Sequence, residues 1–216
     1  FLWRKYAEVV SEARPSYFVL ENVPAFLASP QWAVFQHELE AGLLRDYEIE
    51  YGILNAADYG AAQARKRVIV IGHRKDQPAP GMPIATHTNR YRTVGEVLMG
   101  VPLMVDRLGV PSGAVRYGGV ERPGPFSTRQ LHFGRNYKQL SLDRFAAIPE
   151  KGNRFNLPEH LLAPCWVEHK HGSGDVMGRL DVDKPSVTIG TEFFKPGNGR
   201  YLHRTENRVV SHSEAA

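Results

Sequence analysis

Two short stretches carry residue types that could do chemistry together. Glu21, Asn22 and Val23 close an apolar run at residues 17–20, and Gln63, Arg65 and Arg67 stand at alternate positions leading into Val68, Ile69, Val70 and Ile71. A carboxyl group at the end of one strand and two guanidinium groups entering another can converge on the rim of a single sheet. Such a set can hold a flat, polar, negatively charged molecule, and a nucleotide base with its phosphate is one. Neither stretch says much alone. A lone Glu21 reads as a solvated strand end and spaced arginines as a charged loop, so the reading rests on both occurring in order.

The elements that must position these groups follow from hydrophobic spacing. Leu2, Tyr6, Val9, Val10 and Ala13 fall at helical intervals, and Pro15 stops that helix. Residues 17–20 are wholly apolar, as expected of a strand covered on both faces. Pro30 opens a second helix with Trp32, Phe35, Leu39 and Leu43 on its apolar side. Residues 47–53 alternate with period two, 55–64 read as a loop of small residues, and 68–71 as a further buried strand closed by Gly72, with His73 and Arg74 beyond it in solvent. This is the rhythm of an α/β layer.

Three prolines within residues 76–83 then suggest a linker. Beyond it, Thr93 is placed to cap a short helix through Met99, and Ser141 to Ile148 can form another through Leu142, Phe145 and Ile148. The rest of residues 101–184 is rich in Gly, Pro, Arg, His and aromatics without a clear period, which predicts a small, loop-rich domain. Regular structure is expected again at residues 186–189, and Asn198 with Gly199 signals a turn between strands. The expected division is a catalytic α/β domain at 1–82, a recognition domain at 83–184 and a return to the catalytic domain at 185–216.

Composition is compatible with this and narrows it little. The chain has 216 residues, a net charge of +4 and an isoelectric point near 9.2, a mild excess that suits a polyanionic partner. No apolar run reaches the roughly 18 residues of a membrane span, so no membrane is expected. The single Cys165 excludes an internal disulfide framework. The chain opens within an amphipathic pattern and closes where a helix starts at Ser213, so both ends are expected to be cut from a longer protein.

With these motifs in place, the chain resembles the DNA (cytosine-5)-methyltransferases. Arg14 and Pro15 before an apolar strand ending in Glu21, Asn22 and Val23 look like that family's sixth motif. Residues 54–60 running into Gln63, Arg65 and Arg67 look like its eighth, and the stretch from Arg208 to Ala216 like the start of its ninth. The resemblance implies a partial Rossmann-like methyltransferase sheet and places a target recognition domain at 83–184. It also puts a glycine-containing cofactor loop and a Pro-Cys nucleophile loop before Phe1, and a last motif after Ala216.

The implied chemistry is methyl transfer from S-adenosylmethionine to carbon 5 of cytosine in double-stranded DNA. A thiolate adds at carbon 6 and makes carbon 5 nucleophilic. By the resemblance, Glu21 is the acid facing ring nitrogen 3, with its pKa raised in a closed pocket. Asn22 orients the Pro-Cys loop, Arg67 donates to O2, and Arg65 holds the active-site loop and a nearby phosphate. Gln63 fixes that arrangement, and Leu2 and Trp3 pack on the cofactor. The base must be everted from the duplex. The candidate DNA contacts are Arg116, Tyr117, Arg122, Arg129, His132, Arg135, Asn136, Tyr137, Lys138 and Arg154, with Thr188 where the recognition domain rejoins the core. The resemblance further implies a monomer in the prokaryotic cytoplasm, associated with the nucleoid, and a cognate restriction endonuclease acting on the same site.

Cys165 follows Pro164 and mimics the nucleophile dipeptide, but it lies after the acid motif and reads as a buried or half-buried structural thiol. Cys165, Glu168, His169 and His171 are too crowded for a zinc site, with no second cysteine pair and no supporting helix, so no metal is expected. The rival functions are a catalytically incomplete DNA-binding relative or fragment, and the tRNA cytosine-5 methyltransferase branch. A short recognition region would mark the latter, and the long 83–184 segment argues against it.

Overall fold

The computed structural model describes residues 1–168 and 171–216, which divide into two compact units, Phe1–Arg90 and Tyr91–Ala216. The boundary falls at Arg90 rather than at 82. Residues 76–90 lie on the first unit, where Tyr17 donates to the Pro78 carbonyl at 3.2 Å, Tyr59 to that of Pro83 at 3.0 Å, and the His87 N–H to that of Asp58 at 2.8 Å. Residues 185–216 group with 91–184 rather than with 1–82.

In the first unit, α1 (Leu2–Ala13), β1 (Tyr17–Asn22), α2 (Pro30–Glu40), β2 (Tyr47–Asn55), the two-residue β3 (Gln63–Ala64) and β4 (Lys66–Arg74) follow one another. β4 lies between β1 and β2 and runs antiparallel to both, with Phe18 opposite Gly72, Leu20 opposite Val70, and Ile49 opposite Gly72. Phe18, Leu20, Val68 and Val70 face a core shared with Trp3, Ala7, Val10, Trp32 and Phe35. Gly72 is required there, because a Cβ would sit 2.1 Å from the Phe18 ring.

Several expected faces shift by a residue. α1 buries Trp3, Ala7 and Val10, whereas Leu2 and Val9 are exposed. Arg14 ends it in the left-handed conformation, its N–H donating to the Val10 carbonyl. α2 stops at Glu40, leaving Leu43 exposed and burying Leu44 instead. β1 is covered on one face only, since Tyr17, Val19 and Glu21 are exposed. His73, expected in solvent, is buried and shares its Nδ1 with the Gln77 carbonyl at 3.1 Å.

The second unit is built from short elements. α3 (Val94–Val97) begins at a capping box in which Thr93 and Glu96 bond each other's backbone N–H, and it ends two residues before Met99. A hairpin of β5 (Ala114–Tyr117) and β6 (Val120–Pro123) precedes α4 (Gln139–Ala147) and α5 (Pro164–Glu168), followed by β7 (Ser186–Val187) and α6 (His212–Ala215). Phe145, Ile148, Leu157, Met177 and Leu202 form one core and Val94, Leu180, Phe193 and Tyr201 another. The expected strands around Asn198 and Gly199 are not formed; a single 3-10 turn at Pro196–Asn198 stands there.

Buried ions tie this unit together. Arg208 grips both oxygens of Glu214 at 2.7 Å and donates to the Leu103 carbonyl at 2.7 Å. Burial alone would raise the Glu214 pKa, but the Arg208 and Ser211 hydrogen bonds hold it below the ordinary range. His203 accepts the Glu206 N–H at Nδ1, so its Nε2 carries the proton, 3.6 Å from Glu214. Burial first, then the charge of Arg208, pushes the His203 pKa down to about 4, against the opposing pull of Glu214. Both depressed pKa values mean that the unfolded chain binds protons more readily. Stability is therefore expected to be complete above the ordinary histidine value of 6.5 and to fall as pH drops towards 4. Thermal melts across that interval check this, and His203→Gln should flatten the upper part of the decline. A melting temperature constant across it would contradict the assignment.

Candidate functional site

Strand alternation places the acid. Phe18 and Leu20 turn to the core, so Glu21 projects from the other face at the end of β1. Antiparallel pairing sets Glu21 opposite Ile69, and Arg67 lies two residues earlier on β4, on that same face. The end of one strand thus meets the beginning of the other, which joins two motifs distant in sequence. Arg67 Nε stands 2.8 Å from Glu21 Oε1, and Arg65 Nη2 stands 3.6 Å from the same oxygen. Arg67 Nη1 donates to the Lys66 carbonyl at 2.7 Å. These contacts use one carboxyl oxygen and two of the three Arg67 nitrogens; among the described residues, Glu21 Oε2 and Arg67 Nη2 have no further partner.

The pocket is more open than expected. The Glu21 side chain is 49% exposed and that of Arg67 21%, so the closed cavity around the acid is not formed within this unit. Asn22 accepts the Val23 N–H at 2.8 Å, which shapes the turn at Pro24–Phe26 and leaves its amide nitrogen available. Gln63 lies on β3, half-buried.

Beside β1 runs a cavity of about 420 Å³ lined by Leu2, Trp3, Tyr6, Val19, Leu20, Glu21 and Asn22. Trp3 is itself fixed in the core, donating to Gln31 at 3.2 Å and meeting Phe35 edge-on, so only part of it is free to touch a ligand. The apolar lining fits a flat ring or alkyl chain. Its polar groups are few, so these residues supply one wall of a cofactor site rather than the whole. Tyr6, missed by sequence reasoning as a site residue, donates to the Val19 carbonyl at 2.8 Å; burial raises its phenol pKa, and it stays a neutral donor. Its place one turn beyond Leu2 and Trp3 was the available signal.

In the second unit the candidate contacts separate into two groups. Arg116, Tyr117, Arg122, Arg129, Asn136 and Lys138 are exposed, and Arg135 lies half-buried over the Phe194 ring at 4.5 Å. Thr188 is half-buried just after β7, its carbonyl accepting the Tyr201 hydroxyl. Three others are structural. His132 is buried against Ser211 at 3.0 Å, and the Tyr137 ring packs on Phe145. Arg154 is buried and donates to the His171 carbonyl at 2.8 Å. Cys165, expected to be buried or half-buried, is exposed at the start of α5. That short helix also carries Glu168, whereas His169 lies outside the described residues. Among the described residues, no group of three or more His, Cys, Asp or Glu is placed to hold a metal ion.

Comparisons with known proteins agree with these motifs. The family profile described as C-5 cytosine-specific DNA methylase matches residues 1–101. The type II methylase M.HgiDII of Herpetosiphon aurantiacus is 27% identical over all of this chain and 56% of its own length. The type II methyltransferase M.XorII of Xanthomonas oryzae pv. oryzae is 37% identical over 66% of this chain and 39% of its own length. The chain thus spans about half the length, or less, of these curated relatives. A prophage-encoded E. coli protein, its crystal structure described as that of a candidate DNA modification methyltransferase, superposes with a TM-score of 0.62 at 17% identity. That match covers 97% of this chain and 60% of the other. It shows that the fold is a partial methyltransferase fold, as the α/β reading expected.

Proposed function

Because residues 1–101 match the C-5 cytosine-specific DNA methylase profile and type II methylases resemble the chain, we propose that it supplies the base-holding and target-recognising part of a DNA (cytosine-5-)-methyltransferase. The substrate is duplex DNA, methylated at one sequence within a restriction-modification system. The observation that carries this reading is the 2.8 Å approach of Arg67 Nε to Glu21 Oε1, which brings a carboxyl group and a guanidinium together at one rim of the sheet. Nitrogen 3 and O2 are neighbours on the edge of cytosine. A carboxyl group meets the first and a guanidinium the second, so the pair suits a single everted pyrimidine.

Glu21 holds a proton at nitrogen 3 as electron density moves there, which makes carbon 6 accept a nucleophile and carbon 5 able to attack a methyl group. Arg67 donates to O2 and stabilises the same developing charge. Arg65 keeps Glu21 oriented and remains near enough to approach a phosphate. Asn22 offers its amide to the neighbouring active-site loop, and Gln63 supports the strand that brings Arg65 and Arg67 in. When bound, S-adenosylmethionine supplies the methyl group; Leu2 and the free part of Trp3 would pack against it. Arg116, Arg129, Arg135, Lys138 and Thr188 are assigned to the duplex, mostly to its phosphates. The protein acts as a monomer on DNA in the prokaryotic cytoplasm, beside a restriction endonuclease of the same specificity.

Bisulfite sequencing of DNA from cells expressing the full-length protein tests the activity: 5-methylcytosine at one recurring sequence is expected, and none would refute it. Arg67→Ala in that protein is expected to lower kcat about 10²–10³-fold, the loss seen when one donor to developing charge is removed. An exposed ion pair contributes at most about 1 kcal/mol to stability, so the variant should still fold. Turnover at the wild-type rate would remove Arg67 from the base contact.

A further inference from the structure

The β5–β6 hairpin contributes little to the core of its unit. Every residue of both strands is exposed, including Val115, Tyr117 and Val120 at 42%, 75% and 56%. A two-stranded ribbon without a covered face is marginal in water, so these apolar side chains are not explained by stability. The ribbon is rooted where the Gly124 N–H donates to the Gly113 carbonyl at 3.0 Å. Its tip is Gly118 and Gly119, with φ of 60° and 79°, the positive values that a tight two-residue hairpin turn requires. A Cβ at either glycine would meet nothing within 4 Å, so the tip reaches into open space.

Register sorts the side chains. Val115 stands opposite Arg122 and Tyr117 opposite Val120, which puts these four on one face. Arg116 stands opposite Glu121 on the other. The only acid of the two strands is thus on the second face, and Arg122 is the single charge among the apolar side chains of the first.

We propose that the Val115, Tyr117, Val120 and Arg122 face enters the major groove of the target duplex and reads base pairs. This rests on the DNA-methylating reading above and names the element that sets its sequence. A major groove about 12 Å wide admits a two-stranded ribbon. An arginine can bond guanine O6 and N7 together, and valine or tyrosine carbons can meet the thymine methyl. The absence of an acid on that face suits a polyanionic groove. Arg116, across from Glu121, is assigned to phosphate rather than to base edges.

The test uses the full-length protein, wild type against Arg122→Ala and a Tyr117→Ser, Val120→Ser double variant. All three positions are exposed, so wild-type melting temperatures are expected. Mapping of 5-methylcytosine should show relaxed preference at one or two positions of the site, about tenfold or more for Arg122→Ala. The same methylated sequence at the same rate in all three proteins would overturn the assignment. If the wild type leaves no 5-methylcytosine, the methyl-transfer reading fails instead, and the hairpin is judged by affinity for duplex fragments. A loss of about tenfold in both variants then supports a groove contact, and unchanged binding overturns it.

Discussion

Glu21→Gln in the full-length protein is expected to lower kcat for cytosine methylation about 10²–10⁴-fold, the range for losing a positioned acid. The substitution keeps the shape of the side chain and removes its titratable proton. Little else should change. The Glu21 side chain is half exposed and its contacts are with two partly exposed arginines, so folding and duplex binding should approach wild type. The effect therefore belongs to kcat and not to affinity. Single-turnover methylation together with a DNA-binding titration separates the two. A variant that turns over normally would show that Glu21 only anchors Arg67, and a variant that fails to bind DNA would show that it holds the site together.

The second large effect is structural. Arg179 is buried, and its guanidinium makes five hydrogen bonds: to the carbonyls of Ile148, Phe145, His203 and Glu206 and to the Asn207 side chain, at 2.6–2.7 Å. Every N–H it owns is used, on acceptors drawn from two separate stretches of the second unit, residues 145–148 and 203–207. Burial pulls its pKa down, with Glu206 opposing, yet arginine remains charged in proteins. Arg179→Met would keep the volume and strand those acceptors. At about 1–3 kcal/mol for each buried group left without a partner, the unit is expected to unfold or to melt far below wild type. Thermal melts and limited proteolysis within residues 91–216 would register it. A melting temperature within a degree or two of wild type would mean that the acceptors find other donors.

The difference between these two residues explains what was legible in the sequence. Glu21, Arg65 and Arg67 announced themselves because a strand end and alternate positions are local patterns; the antiparallel pairing of β1 with β4 that makes the groups meet is supplied by the fold. The cap at Thr93 was readable for the same reason, its partner Glu96 lying three residues away; the cap at Ser211, two residues before the expected start at Ser213, was not. Arg179 and Arg208 could not be read so. The acceptors of Arg179 and one of those of Arg208, the Leu103 carbonyl, lie far along the chain, and buried arginines look in sequence like the exposed ones. That is why Arg154 and His132 read in the sequence as DNA contacts although the fold consumes them. The one-residue shift of the α1 face had a similar cause, since Leu2 and Val9 fit the helical spacing as well as Trp3 and Ala7 do, and only the packed sheet chooses between them. The closed pocket failed because the resemblance implied walls that this unit does not itself supply around Glu21.

The most direct measurement is a crystal structure of the full-length protein on a duplex carrying 5-fluorocytosine at the methylated position. The base should stand outside the helix, with the Glu21 carboxyl group and the Arg67 guanidinium each about 2.6–3.2 Å from its nitrogen 3 and O2. A cytosine still stacked in the duplex, or seated where neither side chain reaches its edge, would contradict the account.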